Sequence, residues 1–248
     1  MYIDGVSIIA YVIVAILGAI SGEVADILNY FLPRHKKIFS RANFKEYLET
    51  ATPKYLLMVV HILIYIGILK KFGSDSRDVA KYIVLTPMII SAFCIDCKRQ
   101  IIPNRLTLTM FEVGLIFMFI QGVSSFNALA SAIQGLVAGG TIFLVITLVG
   151  GVIFGKETMG FGDVKMMGAL GLFLGFKRII AVAILAFLIA AIYSIGLLIV
   201  QKIKHEDSSE YIAFGPFIVI ASFLVIFIPL EVLMVLPFVI FSFGKYKL

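Results

Sequence analysis

Two aspartates of this chain stand in stretches that could carry out hydrolytic chemistry. Asp96 comes directly after an apolar run, within the polar stretch Asp96–Arg105. Asp163 follows Gly160 and Gly162, two glycines that leave the backbone unshielded and free to adopt positive φ. A carboxylate in a membrane helix costs roughly 2.5–3.5 kcal/mol on insertion scales, so a carboxylate retained there indicates a functional site.

Each aspartate also has a purely structural interpretation. Asp163 stands at the expected start of a helix, where Asp is a favoured N-cap. Asp96 could be an interfacial acid that pairs with Lys98 or Arg99. These alternatives remain open for either residue taken alone.

The two residues together predict a more specific chemistry. Two carboxylates a few Å apart cannot both ionise, so one stays charged while the other holds a proton. The charged one can take a proton from water, and the neutral one can protonate or polarise a scissile carbonyl. This is the chemistry of an aspartic protease, which needs neither a metal nor a nucleophilic side chain.

The composition indicates where such a pair would act. Of the 248 residues, 61% are apolar and 15% are charged, whereas soluble domains average roughly 45–50% and about 25%. The mean hydropathy of +1.07 therefore excludes a soluble protein and predicts an all-α polytopic membrane protein, with the lipid bilayer as a partner. In such a protein the net charge of +6 indicates basic cytoplasmic loops, so no nucleic-acid partner is expected.

Charged residues, glycines and prolines divide the chain into about eight apolar segments. Their approximate ranges are 6–32, 55–69, 79–93, 106–120, 128–154, 164–176, 179–200 and 212–228. If the basic loop after the first segment is cytoplasmic, thirteen Lys and Arg residues lie on the cytoplasmic side and six on the other. This distribution predicts an N-terminus outside the cell and both aspartates at cytoplasmic ends of their segments.

These residues resemble the type IV prepilin peptidases, which are aspartic membrane proteases of the GxGD class. The first matching motif is Asp96 followed by a polar stretch and Ile102-Pro103-Asn104. The second is Gly160-Phe161-Gly162-Asp163-Val164-Lys165, and Phe214–Phe217 matches a later family feature. The resemblance covers about residues 55–228.

The resemblance implies an eight-helix fold in the cytoplasmic membrane of a prokaryote, with the active site near the cytoplasmic face. It implies prepilins or pseudopilins as substrates, cut between a short basic leader and a hydrophobic helix. Asp96 and Asp163 would be the catalytic pair, and Gly160 and Gly162 would shape the loop that approaches the substrate. Lys165 is a motif residue without an assigned role.

The same resemblance suggests how the rest of the chain is organised. Residues 1–54 would form the first transmembrane helix and a short basic cytoplasmic loop, and residues 55–248 the GxGD peptidase membrane core. Within that core, Ile102, Pro103 and Asn104 would end the catalytic turn and restart the chain into the next helix, because proline disfavours helix at the residue before it.

The chain departs from the family in the segment after the first helix. Many bacterial members carry an insert there with two Cys-x-x-Cys pairs that bind zinc, and they methylate the new N-terminus with S-adenosylmethionine. Here residues 34–54 contain no cysteine. No metal or other cofactor is therefore expected, and the methyltransferase activity is in doubt.

Two other functions fit part of the pattern. A presenilin-like intramembrane protease would share the GxGD-type aspartates but cut within a membrane span. A proton-coupled transporter would use buried carboxylates as a proton relay, although no internal symmetry of the kind common in transporters is visible. The sequence does not specify the native substrate or the oligomeric state.

Overall fold

The computed structural model describes residues 2–3, 6–34, 41–50, 55–74, 77–123, 125–155, 159–204 and 212–233. Within these ranges the chain forms nine α-helices, which we number in order. They are α1 (Ile8–Phe31), α2 (Arg41–Thr50), α3 (Tyr55–Phe72), α4 (Arg77–Arg99), α5 (Asn104–Gly122), α6 (Phe126–Phe154), α7 (Phe161–Leu174), α8 (Phe176–Lys204) and α9 (Gly215–Phe227). A 3₁₀ turn, Leu32–Arg34, extends α1, and two-residue strands β1 (Tyr2–Ile3) and β2 (Val6–Ser7) pair antiparallel before it.

The eight predicted apolar segments all correspond to helices, which confirms the all-α membrane fold. Six helices are long and apolar enough to cross a membrane: α1, α3, α4, α5, α6 and α8. The helices α7 and α9 have 14 and 13 residues, so each is roughly 20 Å long against a hydrocarbon core of about 30 Å. That these two also cross stays a prediction.

Two features of the polar segments differ from the expectation. The helix α4 continues through Asp96 to Arg99, so Asp96 lies within the helix rather than after it. Lys98 and Arg99 end the apolar pattern without ending the helix, because basic residues in the last turn complement the helix dipole. The loop after the first span contains the amphipathic helix α2, which apolar run length alone does not detect.

The chain divides into two compact units, residues 1–113 and 114–248, with the boundary inside α5. The predicted division at residues 54 and 55 stays a prediction.

In the first unit, α1 and α3 pack through a pair of glycines. A Cβ added to Gly18 would lie 2.8 Å from the Cα of Ile62, and one added to Gly22 would lie 2.6 Å from the Cα of Met58. The two helices therefore approach backbone to backbone, as small residues spaced by four allow in membrane bundles. Because the contacts advance along α1 while they recede along α3, the helices are antiparallel.

The same unit places α4 parallel to α1. The Ser91 hydroxyl donates to the Ala25 carbonyl at 3.4 Å, and the Arg99 guanidinium donates to the Pro33 carbonyl at 3.2 Å. The two contacts are eight residues apart on both helices and follow in the same order, so the helices run in the same direction. The C-terminal ends of α1 and α4 consequently lie side by side.

In the second unit, α6 and α7 form a still tighter glycine contact. A Cβ on Gly135 would collide with the Gly171 carbonyl, and one on Gly171 would collide with the Gly135 carbonyl. Four residues further along α6, Gly139 meets the Met167 carbonyl in the same way. This contact aligns α7 antiparallel to α6 and fixes its register, so Asp163 lies level with Phe143.

An aromatic cluster joins the remaining helices of this unit. Phe143 of α6 lies 5.5 Å from Phe187 of α8 and 5.8 Å from Phe214, measured between ring centroids. Phe214 is the N-cap residue of α9, and Pro216 follows within the first helical positions, where the missing N–H costs nothing. The Phe214–Phe217 motif thus starts α9 and anchors it to α6 and α8.

Candidate functional site

Asp96 lies in the last turn of α4 and is only 4% exposed. The helix ends one turn later, where the Gln100 N–H donates to the Asp96 carbonyl at 2.8 Å. Gln100 has a φ of 54°, a left-handed conformation that closes helices but is uncommon for a residue other than glycine. The backbone around Asp96 is therefore sharply defined.

The break between α4 and α5 lies where the proline predicts it. Ile102 and Pro103 are buried, and Asn104 is the first residue of α5. The Pro103 carbonyl accepts hydrogen bonds from the N–H groups of Leu106 at 3.0 Å and Thr107 at 3.3 Å. These residues hold a tight turn a few positions after Asp96.

Asp163 is the third residue of α7 and is 7% exposed. The N-cap is Gly160, which makes no side-chain capping hydrogen bond, so the interpretation of Asp163 as the N-cap is wrong. Its carboxylate instead folds back toward the cap: Oδ2 lies 3.5 Å from the position that a Gly160 Cβ would occupy. Lys165, two positions further on, is exposed.

Neither glycine of the Gly160-Phe161-Gly162 motif adopts a positive φ, although glycine could do so without strain. Gly160 is extended, with φ −71° and ψ 139°, and Gly162 lies inside the first turn of α7. Gly160 is exposed and carries no side chain above the Asp163 carboxylate.

The register between α6 and α7 puts Asp163 well inside the length of α6. Phe143, which lies level with Asp163, precedes the end of α6 at Phe154 by eleven residues, or about 16 Å at 1.5 Å per residue. Because α6 is long enough to span a membrane, α7 begins beside the body of that span. Backbone ends at such a depth are tolerated where they line protein or a water-filled cavity.

The first unit contains a third buried carboxylate that the sequence reasoning did not place in a site. Asp26 of α1 is 3% exposed, and the Tyr47 hydroxyl of α2 donates to its Oδ2 at 3.1 Å. Burial, together with the nearby Asp26 carboxylate, raises the pKa of Tyr47 above its ordinary value. The signal in the sequence was the spacing of Phe44, Tyr47 and Leu48, which gives the short helix an apolar side.

Asp96 belongs to the first unit and Asp163 to the second. Their predicted pairing, and the roles predicted for Ile102, Pro103, Asn104, Gly160, Gly162 and Lys165, therefore stay predictions.

Within the part of the chain that the structure describes, no group of three or more His, Cys, Asp or Glu side chains is placed to hold a metal ion. The two cysteines, Cys94 and Cys97, both lie in the last turns of α4. The described residues thus do not present a zinc ligand set, and we derive no step through a metal.

Comparison with known proteins supports the resemblance drawn from the motifs. Residues 83–195, which include both aspartates, match the type IV leader peptidase family. The chain is 32% identical over 142 residues to the prepilin leader peptidase/N-methyltransferase of Aeromonas salmonicida, covering 57% of this chain and 47% of that protein. It is 32% identical over 143 residues to the protein of the same name from Neisseria gonorrhoeae, covering 58% and 46%, and 29% identical over 134 residues to that from Escherichia coli K12, covering 54% and 56%.

The chain thus spans about half the length of the curated relatives that it matches. No solved structure matches it. The family resemblance drawn from the motifs is confirmed.

Proposed function

We propose that the chain, whose residues 83–195 match the type IV leader peptidase family, is a membrane aspartic endopeptidase. Its substrates would be prepilins or pseudopilins, and the bond cut would lie between a basic leader and a hydrophobic helix. The observation that carries this proposal is the burial of two aspartates, Asp96 and Asp163, within the matched segment at 4% and 7% exposure.

Burial within the matched segment, which does not include the equally buried Asp26, supports a catalytic rather than a solvating role for these carboxylates. A buried charge is retained in a protein only where partners compensate for its lost hydration, and structural acids on the lipid side of a helix are rare. Both residues also lie at helix ends beside an interrupted backbone, which is where an extended peptide can approach.

In the proposed reaction, the charged carboxylate of the pair removes a proton from water, and the resulting hydroxide attacks the scissile carbonyl carbon. The protonated carboxylate donates its proton to the carbonyl oxygen. The tetrahedral species then collapses, the C–N bond breaks, and the leaving amine takes up a proton. Water and peptide give a free leader carboxylate and a new N-terminal amine, with no metal and no covalent enzyme intermediate.

We propose the cytoplasmic membrane as the location, with the aspartates near the cytoplasmic face and the N-terminus outside. The parallel arrangement of α1 and α4 supports part of this topology. It brings Pro33 and Arg99 together, as expected if both helices run from the outside to the inside. The basic residues at these ends agree with the positive-inside rule.

We propose hydrolysis as the activity and leave methyl transfer in doubt, because residues 34–54 lack the cysteines of the zinc-bearing relatives. A chelator should accordingly leave cleavage intact. Loss of cleavage that zinc specifically restores would contradict the metal-free mechanism.

The experiment is cleavage of a prepilin by the purified full chain in lipid vesicles, with mass spectrometry of both products. We expect one cut at the end of the basic leader, and none by a variant that carries both Asp96→Asn and Asp163→Asn. A cut inside the hydrophobic helix would instead identify a presenilin-like protease. Proton-coupled flux into the vesicles without any cleavage would identify a transporter.

A further inference from the structure

The C-terminal ends of α1 and α4 enclose a pocket of about 210 Å³ in the first unit. At about 30 Å³ per water molecule, this volume holds roughly seven waters. That is enough for a phosphate group and a small headgroup, but not for a folded segment of peptide. The lining includes three cations, Arg34, Lys98 and Arg99, together with Asn29.

No described acidic side chain pairs with the three cations of the pocket. Within the described residues, none of Arg34, Lys98 and Arg99 forms an ion pair. The partial negative charge at the ends of two helices, roughly half a charge each, offsets only part of their three positive charges. The pocket therefore retains a net positive charge that favours an anion.

Two of these cations are held in place by neutral groups. The Arg34 guanidinium lies 3.8 Å from the centroid of the Tyr30 ring, and Arg99 donates to the Pro33 carbonyl. Holding the side chains in this way reduces the entropy that a bound anion would otherwise have to offset. Lys98 forms neither kind of contact and is exposed.

Asn29 adds a polar group that lacks a partner. Its Oδ1 is buried with no hydrogen bond, which leaves its lost hydration uncompensated. Rotation of the amide about χ2 would let this oxygen accept a hydrogen bond from a hydroxyl group of a ligand in the pocket. An anion that also carries hydroxyl groups therefore fits the lining better than an anion without donors.

We propose that this pocket binds the phosphate diester headgroup of an acidic phospholipid such as phosphatidylglycerol. The phosphate would lie among Arg34, Lys98 and Arg99, and a glycerol hydroxyl would face Asn29. A lipid is favoured over a soluble anion because α1 and α4 are both long and apolar enough to span a membrane. Their ends therefore lie near headgroup level, where each basic residue adds to the attraction of an anionic lipid.

The test measures binding, so it is independent of the proposed peptidase activity. The purified full chain is titrated with phosphatidylglycerol or phosphatidylcholine of matched acyl chains, and bound lipid is counted by native mass spectrometry. We expect one tightly held phosphatidylglycerol and no comparable phosphatidylcholine. Arg34→Gln and Lys98→Gln should each weaken this binding about five-fold, whereas Lys98→Arg should preserve it.

Lys45→Gln is the matched control, because Lys45 is a strongly exposed cation of α2 in the same unit, outside the pocket. It should bind phosphatidylglycerol like the wild type, and a thermal melt of each variant verifies folding. Equal binding of the two lipids, or wild-type binding by both glutamine variants, would overturn the proposal. Full competition by millimolar inorganic phosphate would instead show a site for soluble phosphate and would also overturn the lipid assignment.

Discussion

The two aspartates of the proposed peptidase occupy opposite ends of their helices. Asp96 lies in the last turn of α4, whereas Asp163 lies in the first turn of α7. Free N–H groups and the positive end of the helix dipole stabilise a carboxylate at a helix N-terminus by about 0.3–1 kcal/mol. The negative end of the dipole destabilises a carboxylate at a helix C-terminus by a similar amount. The two helix ends therefore act in opposite senses on the two carboxylates.

The surroundings of the two residues also differ. Asp96 is followed by Lys98 and Arg99 and by a turn that Pro103 terminates, all of it encoded locally in the chain. Asp163 depends on the glycine contact between α6 and α7, which fixes where α7 begins. Two similar buried carboxylates are thus positioned by local turn chemistry in one case and by helix packing in the other.

The largest expected effect tests whether both aspartates are needed. Asp96→Asn and Asp163→Asn should each lower the rate of prepilin cleavage by at least about 10²–10⁴-fold, because neither the acid nor the base can be replaced by an amide. The rate is measured by gel shift with each variant in vesicles. Asp26→Asn removes an equally buried carboxylate outside the proposed pair and should cleave at close to the wild-type rate. Wild-type cleavage by either Asp96→Asn or Asp163→Asn would remove that residue from the mechanism.

The next effect tests the packing that positions Asp163. Gly171→Ala places a methyl group against the Gly135 carbonyl and should destabilise the protein by about 1–3 kcal/mol, seen as a lower melting temperature. Gly140→Ala in the same helix pair meets only the Cα of Gly168, at 3.9 Å, and should be tolerated. Equal melting temperatures for the two variants would show that the glycine contact does not position α7.

A smaller effect concerns the buried acid that has no proposed catalytic role. Tyr47→Phe removes the hydroxyl that donates to Asp26 and should cost about 1–3 kcal/mol of unfolding free energy, because a buried carboxylate loses a donor. Tyr30→Phe removes a weaker, exposed hydrogen bond to Glu46 at 3.3 Å and should cost less. Denaturant titration of the two variants would contradict this order if Tyr30→Phe were the more damaging change.

The smallest effect is a pH dependence. The pKa of Tyr47 is raised in the folded protein above its ordinary value of 10.0, so the folded state keeps this proton when the unfolded chain has lost it. The stabilisation is complete below about pH 10 and declines as the pH rises above that value. The stability difference between wild type and Tyr47→Phe should therefore shrink above pH 10, and a constant difference would count against the burial of this hydroxyl.

The membrane class, the eight helical segments and the two motifs that carry the family resemblance can all be read from the sequence alone. These properties are local: apolar runs, the position of Pro103 and the spacing of Gly160, Gly162 and Asp163 are all visible along the chain. The sequence also predicted the short helix α7, as the apolar segment 164–176, because glycines and charged residues lie close to both of its ends.

Which residues meet across the helices depends on the tertiary structure. The Tyr47–Asp26 hydrogen bond, the match of Gly135 to Gly171 and the convergence of Arg34 with Lys98 each join residues from different helices, so no periodicity along the chain specifies them. The apolar pattern also did not predict that α4 continues through Asp96. The hydropathy falls at Lys98, whereas the helix continues to Arg99. Side-chain polarity marks where a helix leaves lipid, whereas backbone bonding and packing decide where the helix ends.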